Sequence, residues 1–297
     1  MTYHFAPEGA SFAVESNSRL DAFVAARSFD RPTLVMDLDL VEAQYRALRR
    51  GLGRADIHYA VKANPARQII ARLVDLGSHF DAASKAEIAL CLEEGAEPSE
   101  VSFGNTIKRA SDIAWAWGQG ITLFAADAEE ELEKIAANAP GASVYIRLIV
   151  EVSQADWPLS RKFGCDRDTA LRLLDQAKAL GLNPVGFSFH VGSQTRRAEM
   201  WAPTLDAMAS IWQAALDGGH DLSLLNIGGG FPAFYGEEIE APTAYAAQVI
   251  AMVEARFPNV SRIMAEPGRG MVAEAGVIVA EVMLVSRPSD RDLHRWV

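Results

Sequence analysis

The sequence predicts an α/β chain closed into a (β/α)8 TIM barrel. Three observations point to it: eight short β-rich runs, helix-patterned segments between them, and a span of about 210 residues from first run to last, the usual size of such a barrel.

Residues 1–32 form a weakly periodic leader. Thr33-Leu-Val-Met-Asp-Leu then reads as a short strand. Val41, Tyr45, Leu48 and Leu52 recur at helical spacing, with Asp39 and Glu42 in the Asp-x-x-Glu pattern of a helix start. The β-rich runs begin near Ile57, His79, Glu100, Ile121, Ser143, Pro184, Leu222 and Arg262. The first five starts lie 21 or 22 residues apart and the later ones 38 to 41, so compact βα units come first and units with longer loops follow. An open doubly wound sheet shares this alternation, but strand count and length favour closure. A leucine-rich solenoid fails because no Leu-x-x-Leu-x-Leu ladder recurs. The barrel domain is expected over 33–276. Val277-Ile-Val-Ala-Glu-Val-Met-Leu-Val begins a ninth strand, expected to open a second, β-rich domain that 277–297 does not complete.

A chain of 297 residues with 49% apolar and 23% charged residues can bury a large core, and its apolar runs are too short and interrupted to cross a bilayer. Met1-Thr-Tyr-His-Phe lacks the basic and apolar regions of a secretory signal, so a cytoplasmic location is expected. Cys91 and Cys165 are too few and too far apart for a disulfide framework or a zinc cluster; both are expected to be reduced, with no metal. A net charge of -11 disfavours nucleic acid and anionic membranes, which are held by clustered Lys and Arg. A small-molecule ligand is the expected partner.

In such a barrel the chemistry sits where strands end, and the polar residues there form a set. They are Lys62 in Tyr59-Ala-Val-Lys62-Ala-Asn-Pro65, Asp81 in Phe80-Asp81, Arg147 in Tyr145-Ile-Arg147, and His190 and Ser193 in His190-Val-Gly-Ser193. Gly228-Gly229-Gly230-Phe-Pro and Glu266-Pro-Gly268-Arg269 complete it. Lys62 follows an apolar strand, where desolvation is expected to lower its pKa and favour a neutral amine able to attack a carbonyl; taken alone it reads rather as a solvated strand-end lysine, since lysine is rarely buried. The glycine run and Gly268-Arg269 lie where barrels of this kind hold phosphate. Glu266 suits a cationic ring nitrogen or a salt bridge to Arg269 or Arg147. His190 could stack on a flat ring or fill the core, and Asp81 could orient His190 or a ring substituent or merely end a strand. Glu87, three residues after Ser84, is explained by a capping box.

Together Tyr59-Ala-Val-Lys62-Ala-Asn-Pro, Phe80-Asp-Ala-Ala-Ser84, His190-Val-Gly-Ser193, Gly228-Gly-Gly-Phe-Pro232 and Glu266-Pro-Gly-Arg269 resemble the ornithine, diaminopimelate and arginine decarboxylase family, whose barrel is of the alanine racemase type. The Phe-Asp-x-Ala-Ser and Gly-Gly-Gly-Phe-Pro forms, with Lys162-Phe-Gly164, look most like those of ornithine decarboxylases. The resemblance implies that Lys62 carries pyridoxal 5'-phosphate covalently, Glu266 pairs with its ring nitrogen and His190 stacks on the ring. It implies phosphate binding by Ser193, Gly229, Gly230, Gly268 and Arg269, with Arg147 and Asp81 supporting the ring, and it makes Lys62 and His190 the catalytic pair. The implied reaction is decarboxylation of a basic amino acid, L-ornithine to putrescine, by a homodimer with shared active sites. Alternatives are a lysine/ornithine or diaminopimelate decarboxylase, a non-catalytic barrel that binds the cofactor or regulates a partner decarboxylase, and an ordinary phosphate-ester enzyme. Family members continue into a β-domain with a Cys-Asp pair and a phosphate-binding tyrosine. Neither has a counterpart before Leu293-His-Arg-Trp-Val297, so 297 residues alone are expected to bind cofactor and decarboxylate poorly.

Overall fold

The computed structural model describes residues 18–149, 163–286 and 295–296. The chain divides into a unit of Leu38–Glu274 and a smaller one made of the residues on either side.

The larger unit is a closed barrel of eight parallel strands in chain order: β2 (Asp56–Ala60), β3 (His79–Ala82), β4 (Val101–Phe103), β5 (Leu123–Ala126), β6 (Ser143–Arg147), β7 (Asn183–Ser188), β8 (Leu224–Asn226) and β9 (Arg262–Ala265). All eight expected runs are strands of it. Closure rests on β2 and β9, whose register joins Asp56 to Met264 and Ile57 to Ala265. These strands are buried on both faces, so they read as near-continuous apolar runs rather than as alternation. Ala125, Tyr145, Leu224 and Met264 pack together as one core cluster.

Helices α2 (Leu38–Leu52), α3 (Arg67–Asp75), α4 (Lys85–Glu93), α5 (Ala110–Gly118), α6 (Glu129–Asn138), α7 (Arg167–Ala179), α8 (Ala202–Asp217) and α9 (Pro242–Arg256) belong to the same unit, with the short α10 (Arg269–Val272) after β9. Val41, Tyr45, Leu48 and Leu52 are the buried face of α2 as their spacing predicts, each side chain gaining about 2 kcal/mol from leaving water. The start of that helix differs from expectation. It opens at Leu38, one residue before Asp39, and Asp39 and Glu42 both accept from the Arg72 guanidinium of α3, at 3.2 and 2.7 Å. A guanidinium across the helix pair is a stronger partner than a backbone amide. At α4 half of the expected box is present: Ser84 accepts from the Glu87 N–H, but the Glu87 carboxylate takes the N–H of Ala83, one residue before the cap, at 2.6 Å.

The smaller unit holds α1 (Ser18–Ala25), β1 (Thr33–Met36) and β10 (Gly276–Val279), with the paired β11 (Val285–Ser286) and β12 (Arg295–Trp296). Against an expected barrel domain of 33–276, Thr33–Met36 lies outside the barrel, paired antiparallel with the ninth run. No helix among the described residues is long and apolar enough to cross a membrane.

Candidate active site

The tip of β2 winds into a 3-10 turn, Val61–Ala63, that carries Lys62. Tyr59 Oη donates to the Asn64 carbonyl at 3.1 Å and Asn64 Oδ1 accepts from the Ala66 N–H at 3.1 Å, so the turn is pinned on both sides. Lys62 Nζ reaches Asp81 Oδ2, at the tip of β3, over 3.3 Å. The Lys62 side chain is 58% exposed and that of Asp81 only 3%. Burial of Asp81 leaves its Oδ1 without a hydrogen bond among the described residues. The space for this carboxylate exists because residue 104 is glycine: a Cβ there would overlap Asp81 Oδ1.

The expected protonation state of Lys62 is overturned. The Asp81 carboxylate raises its pKa above the ordinary lysine value, against the smaller opposing effect of desolvation, and Glu266 adds to the rise. Sequence position alone suggested burial of an amine. It could not show that a buried carboxylate from the next strand lies beside it.

Glu266 follows β9. Burial, and then the Asp81 charge, push its carboxyl up to about 7, while Lys62, Asn226 and Arg147 pull the other way. Asn226 Nδ2 donates to Glu266 Oε1 at 2.5 Å, a partner that neither the ring-nitrogen reading nor the arginine salt bridge included. The Glu266 N–H donates to the Gly228 carbonyl at 2.8 Å, binding the acid to the glycine run. Arg147, at the end of β6, lies with its guanidinium 5.5 Å from the Phe163 ring centroid and lowers the pKa of His190.

His190 ends the segment after β7. Its Nδ1 accepts from the Gly192 N–H at 2.9 Å, so Nε2 bears the proton of a neutral ring. Burial, with the Arg147 and Lys62 charges, drives its pKa down to about 3. A Cβ on residue 229 would lie 3.0 Å from His190 Nε2 and 2.9 Å from the Glu266 carbonyl, so the glycine run lies directly against the imidazole. Gly230 has φ 112 and a Cβ on it would be 2.7 Å from the Gly192 carbonyl, which places it beside the turn that carries Ser193. The Thr195 N–H donates to the Gly230 carbonyl at 3.0 Å and fixes that approach.

The turn after β9 closes the ring of loops. The Pro267 carbonyl accepts from the Ala60 N–H at 3.1 Å, and a Cβ on Gly268 would come within 2.9 Å of Ala63 Cβ, so this turn sits against the one carrying Lys62. Arg269 opens α10 with its guanidinium 5.9 Å from the Tyr235 ring. The expected residues are thereby assembled at one mouth of the barrel, except that Lys162 lies outside the described residues. Its neighbour Gly164 is tied to the tip of β5, its N–H donating to Asp127 Oδ2 at 2.8 Å.

Sequence reasoning missed Asn226, Gly104 and Gln194. Gln194 Oε1 accepts from the Ala233 N–H at 3.1 Å while its Nε2 donates to the Ala233 carbonyl, and this clamps the two loops together. Asn226 carried a signal: an amide inside Leu222-Ser-Leu-Leu-Asn-Ile, directly before the glycines, has no reason to be buried unless it is satisfied there. The cysteines are free thiols, and burial pushes both up to about 12, so neither is a nucleophile at neutral pH.

The family described as pyridoxal-dependent decarboxylase, pyridoxal binding domain, matches residues 38–273. The chain belongs to that family. It is 35% identical over 259 residues to the lysine/ornithine decarboxylase of Selenomonas ruminantium, covering 87% of this chain and 66% of that protein. It is 35% identical over 255 residues to ornithine decarboxylase 2 of Drosophila melanogaster, covering 85% and 64%. The chain therefore spans just under two thirds of the length of these relatives. Among solved structures, the arginine decarboxylase of Paramecium bursaria Chlorella virus bound to agmatine superposes with a TM-score of 0.85 at 29% identity, covering 95% of this chain and 75% of that one. The family accounts for the barrel and makes it a pyridoxal-binding domain.

Proposed function

We propose that this chain is the cofactor-holding barrel of an amino-acid decarboxylase that converts L-ornithine to putrescine. Lysine/ornithine and diaminopimelate decarboxylation are the alternatives. The observation that carries the reading is the pairing of Lys62 Nζ with Asp81 Oδ2 at 3.3 Å, on a mouth that also holds Glu266, a neutral imidazole and the glycine turns. The motif forms around Asp81 and Gly228 support the ornithine assignment. On the same reading two copies pair in the cytoplasm and share active sites.

The residues present fit pyridoxal phosphate. Gly229 lies against a flat His190 ring, Asp81 has an unused buried oxygen, and an amine, an acid and two guanidinium groups surround the mouth. Lys62 would carry the cofactor, Ser193, Gly229, Gly230, Gly268 and Arg269 would hold its phosphate, and Glu266 its ring nitrogen. When bound, the cofactor supplies the electron sink for loss of CO2. The protein supplies placement and protons. Asp81 keeps Lys62 charged until its proton is passed on, and the same raised basicity suits Lys62 to return a proton. His190 stays neutral above about pH 3, so it offers a flat face without adding a cation beside Lys62 and Arg147. Glu266, poised near 7, is the group able to share a proton with a basic ring nitrogen.

The purified protein should absorb at about 420 nm when loaded with pyridoxal phosphate and lose that band on borohydride reduction, whereas Lys62→Ala should show neither. Matching spectra for wild type and Lys62→Ala would end the proposal. Release of CO2 from ornithine, lysine, arginine and diaminopimelate then ranks the substrates.

A further inference from the structure

Asn226 lies at the tip of β8 and is wholly buried. Its Oδ1 accepts from the Gly228 N–H at 2.9 Å, and its Nδ2 donates to Glu266 Oε1 at 2.5 Å. The ring is closed by the Glu266 N–H, which donates to the Gly228 carbonyl at 2.8 Å. The direction of this ring is not a matter of choice. A backbone N–H can only donate, so the amide oxygen must face Gly228 and the amide nitrogen must face the carboxyl. Glu266 Oε1 is then always an acceptor, and any proton on Glu266 resides on Oε2.

We propose that Asn226 is a positioning residue that fixes which oxygen of Glu266 exchanges the proton and ties that acid to the glycine turn. The inference rests on the reading of Glu266 as partner of the cofactor's ring nitrogen. Asn226 holds Oε1 and so reserves Oε2 for that nitrogen. The same bond favours the ionised acid, against burial and the Asp81 charge that favour the protonated one. Glutamine would be a methylene too long for a ring this tight. Aspartate would keep the Gly228 contact and lose the donor.

That difference makes Asn226→Asp the test. The groups facing Glu266 are Asp81 from β3, Lys62 after β2, and Tyr145 and Arg147 from β6, and none of them is altered by the change. When ionised, the introduced carboxylate would accept from Gly228 and repel Glu266; when protonated, it would donate to Oε1 and restore the ring. Cofactor-loaded Asn226→Asp should therefore retain wild-type pyridoxal phosphate affinity to within about threefold. Its decarboxylation kcat should fall about tenfold near neutral pH and recover as the pH is lowered. The pH titration of its cofactor absorbance should move to the alkaline side of wild type, because an added anion and a lost donor both raise the pKa of the groups around Glu266. Asn226→Ser, too short to reach Glu266, should lose the same activity without acid rescue, and it serves if the aspartate variant fails to fold. Wild-type titration and kcat in both variants would overturn the proposal, as would equal loss of affinity and melting temperature with no change in the pH profile. If wild-type protein forms no borohydride-trapped adduct at Lys62, it is the functional reading that fails instead.

Discussion

The chemistry at the mouth turns on one through-space pair. Asp81 is almost wholly buried beside Lys62, so its carboxylate is the partner that packing fixes. Replacing Asp81 with Asn keeps the shape and removes the charge that raises the Lys62 pKa. Lys62 should then lose its proton at lower pH, and capture of pyridoxal phosphate by borohydride trapping should rise at lower pH than in wild type. Decarboxylation should nonetheless fall by about tenfold to a hundredfold, because Asp81→Asn also removes the acceptor for the Lys62 proton. Capture profiles that coincide would show that Asp81 does not govern the amine.

The strands were legible because a barrel interior is dry on both faces: apolar runs of four to six residues bounded by turn formers place β2, β5, β6, β7 and β9 closely. The identities of the mouth residues were legible for a related reason, since a polar side chain at the end of such a run stands out. What the sequence did not disclose was pairing. Nothing local says that Arg72 will take Asp39 and Glu42 from the start of α2, that Asp81 will lie beside Lys62, or that Asn226 will face Glu266, because each partner comes from another element. Gly104 shows the same limit: it follows an unremarkable strand, β4, yet a Cβ there would overlap the carboxylate of β3. Gly104→Ala should push Asp81 off Lys62, destabilise the protein by about 1–3 kcal/mol in denaturant titrations, and reproduce the acid-shifted capture profile of Asp81→Asn. A stable Gly104→Ala protein with a wild-type profile would show that β3 yields without moving its carboxylate.

At the scale of the whole molecule the barrel separates its two ends. Reactive groups gather where the strands finish, whereas Asp56, His58, His79 and Arg262 gather where β2, β3 and β9 begin, at the seam that closes the barrel. His58 Nε2 lies 3.3 Å from both His79 Nδ1 and Arg262, and Arg262 Nε lies 3.2 Å from Asp56. Those three acid and imidazole groups are spaced to hold a metal ion, but the guanidinium already bridges two of them. The cluster instead carries a cost in acid. Burial lowers the pKa of both imidazoles, with the His79 ring and Arg262 pushing His58 further down; for His79, Asp56 and Glu100 oppose Arg262 and Arg49. Each ring therefore holds a proton less readily in the fold than in the unfolded chain, where it takes one up below about pH 6.5. Unfolding binds more protons in that window, so stability is full above it and falls as the pH drops, by up to about 1.4 kcal/mol per pH unit for each histidine. Urea midpoints should hold steady from pH 8 to 7 and then decline toward pH 5, and His79→Gln, which keeps a polar partner but cannot charge, should decline less steeply. His190, also held neutral by burial at the cofactor's end, adds to the slope, so the seam's share is read as the difference between wild type and His79→Gln in protein without pyridoxal phosphate. A slope that His79→Gln leaves unchanged would place the acid sensitivity outside the closing seam.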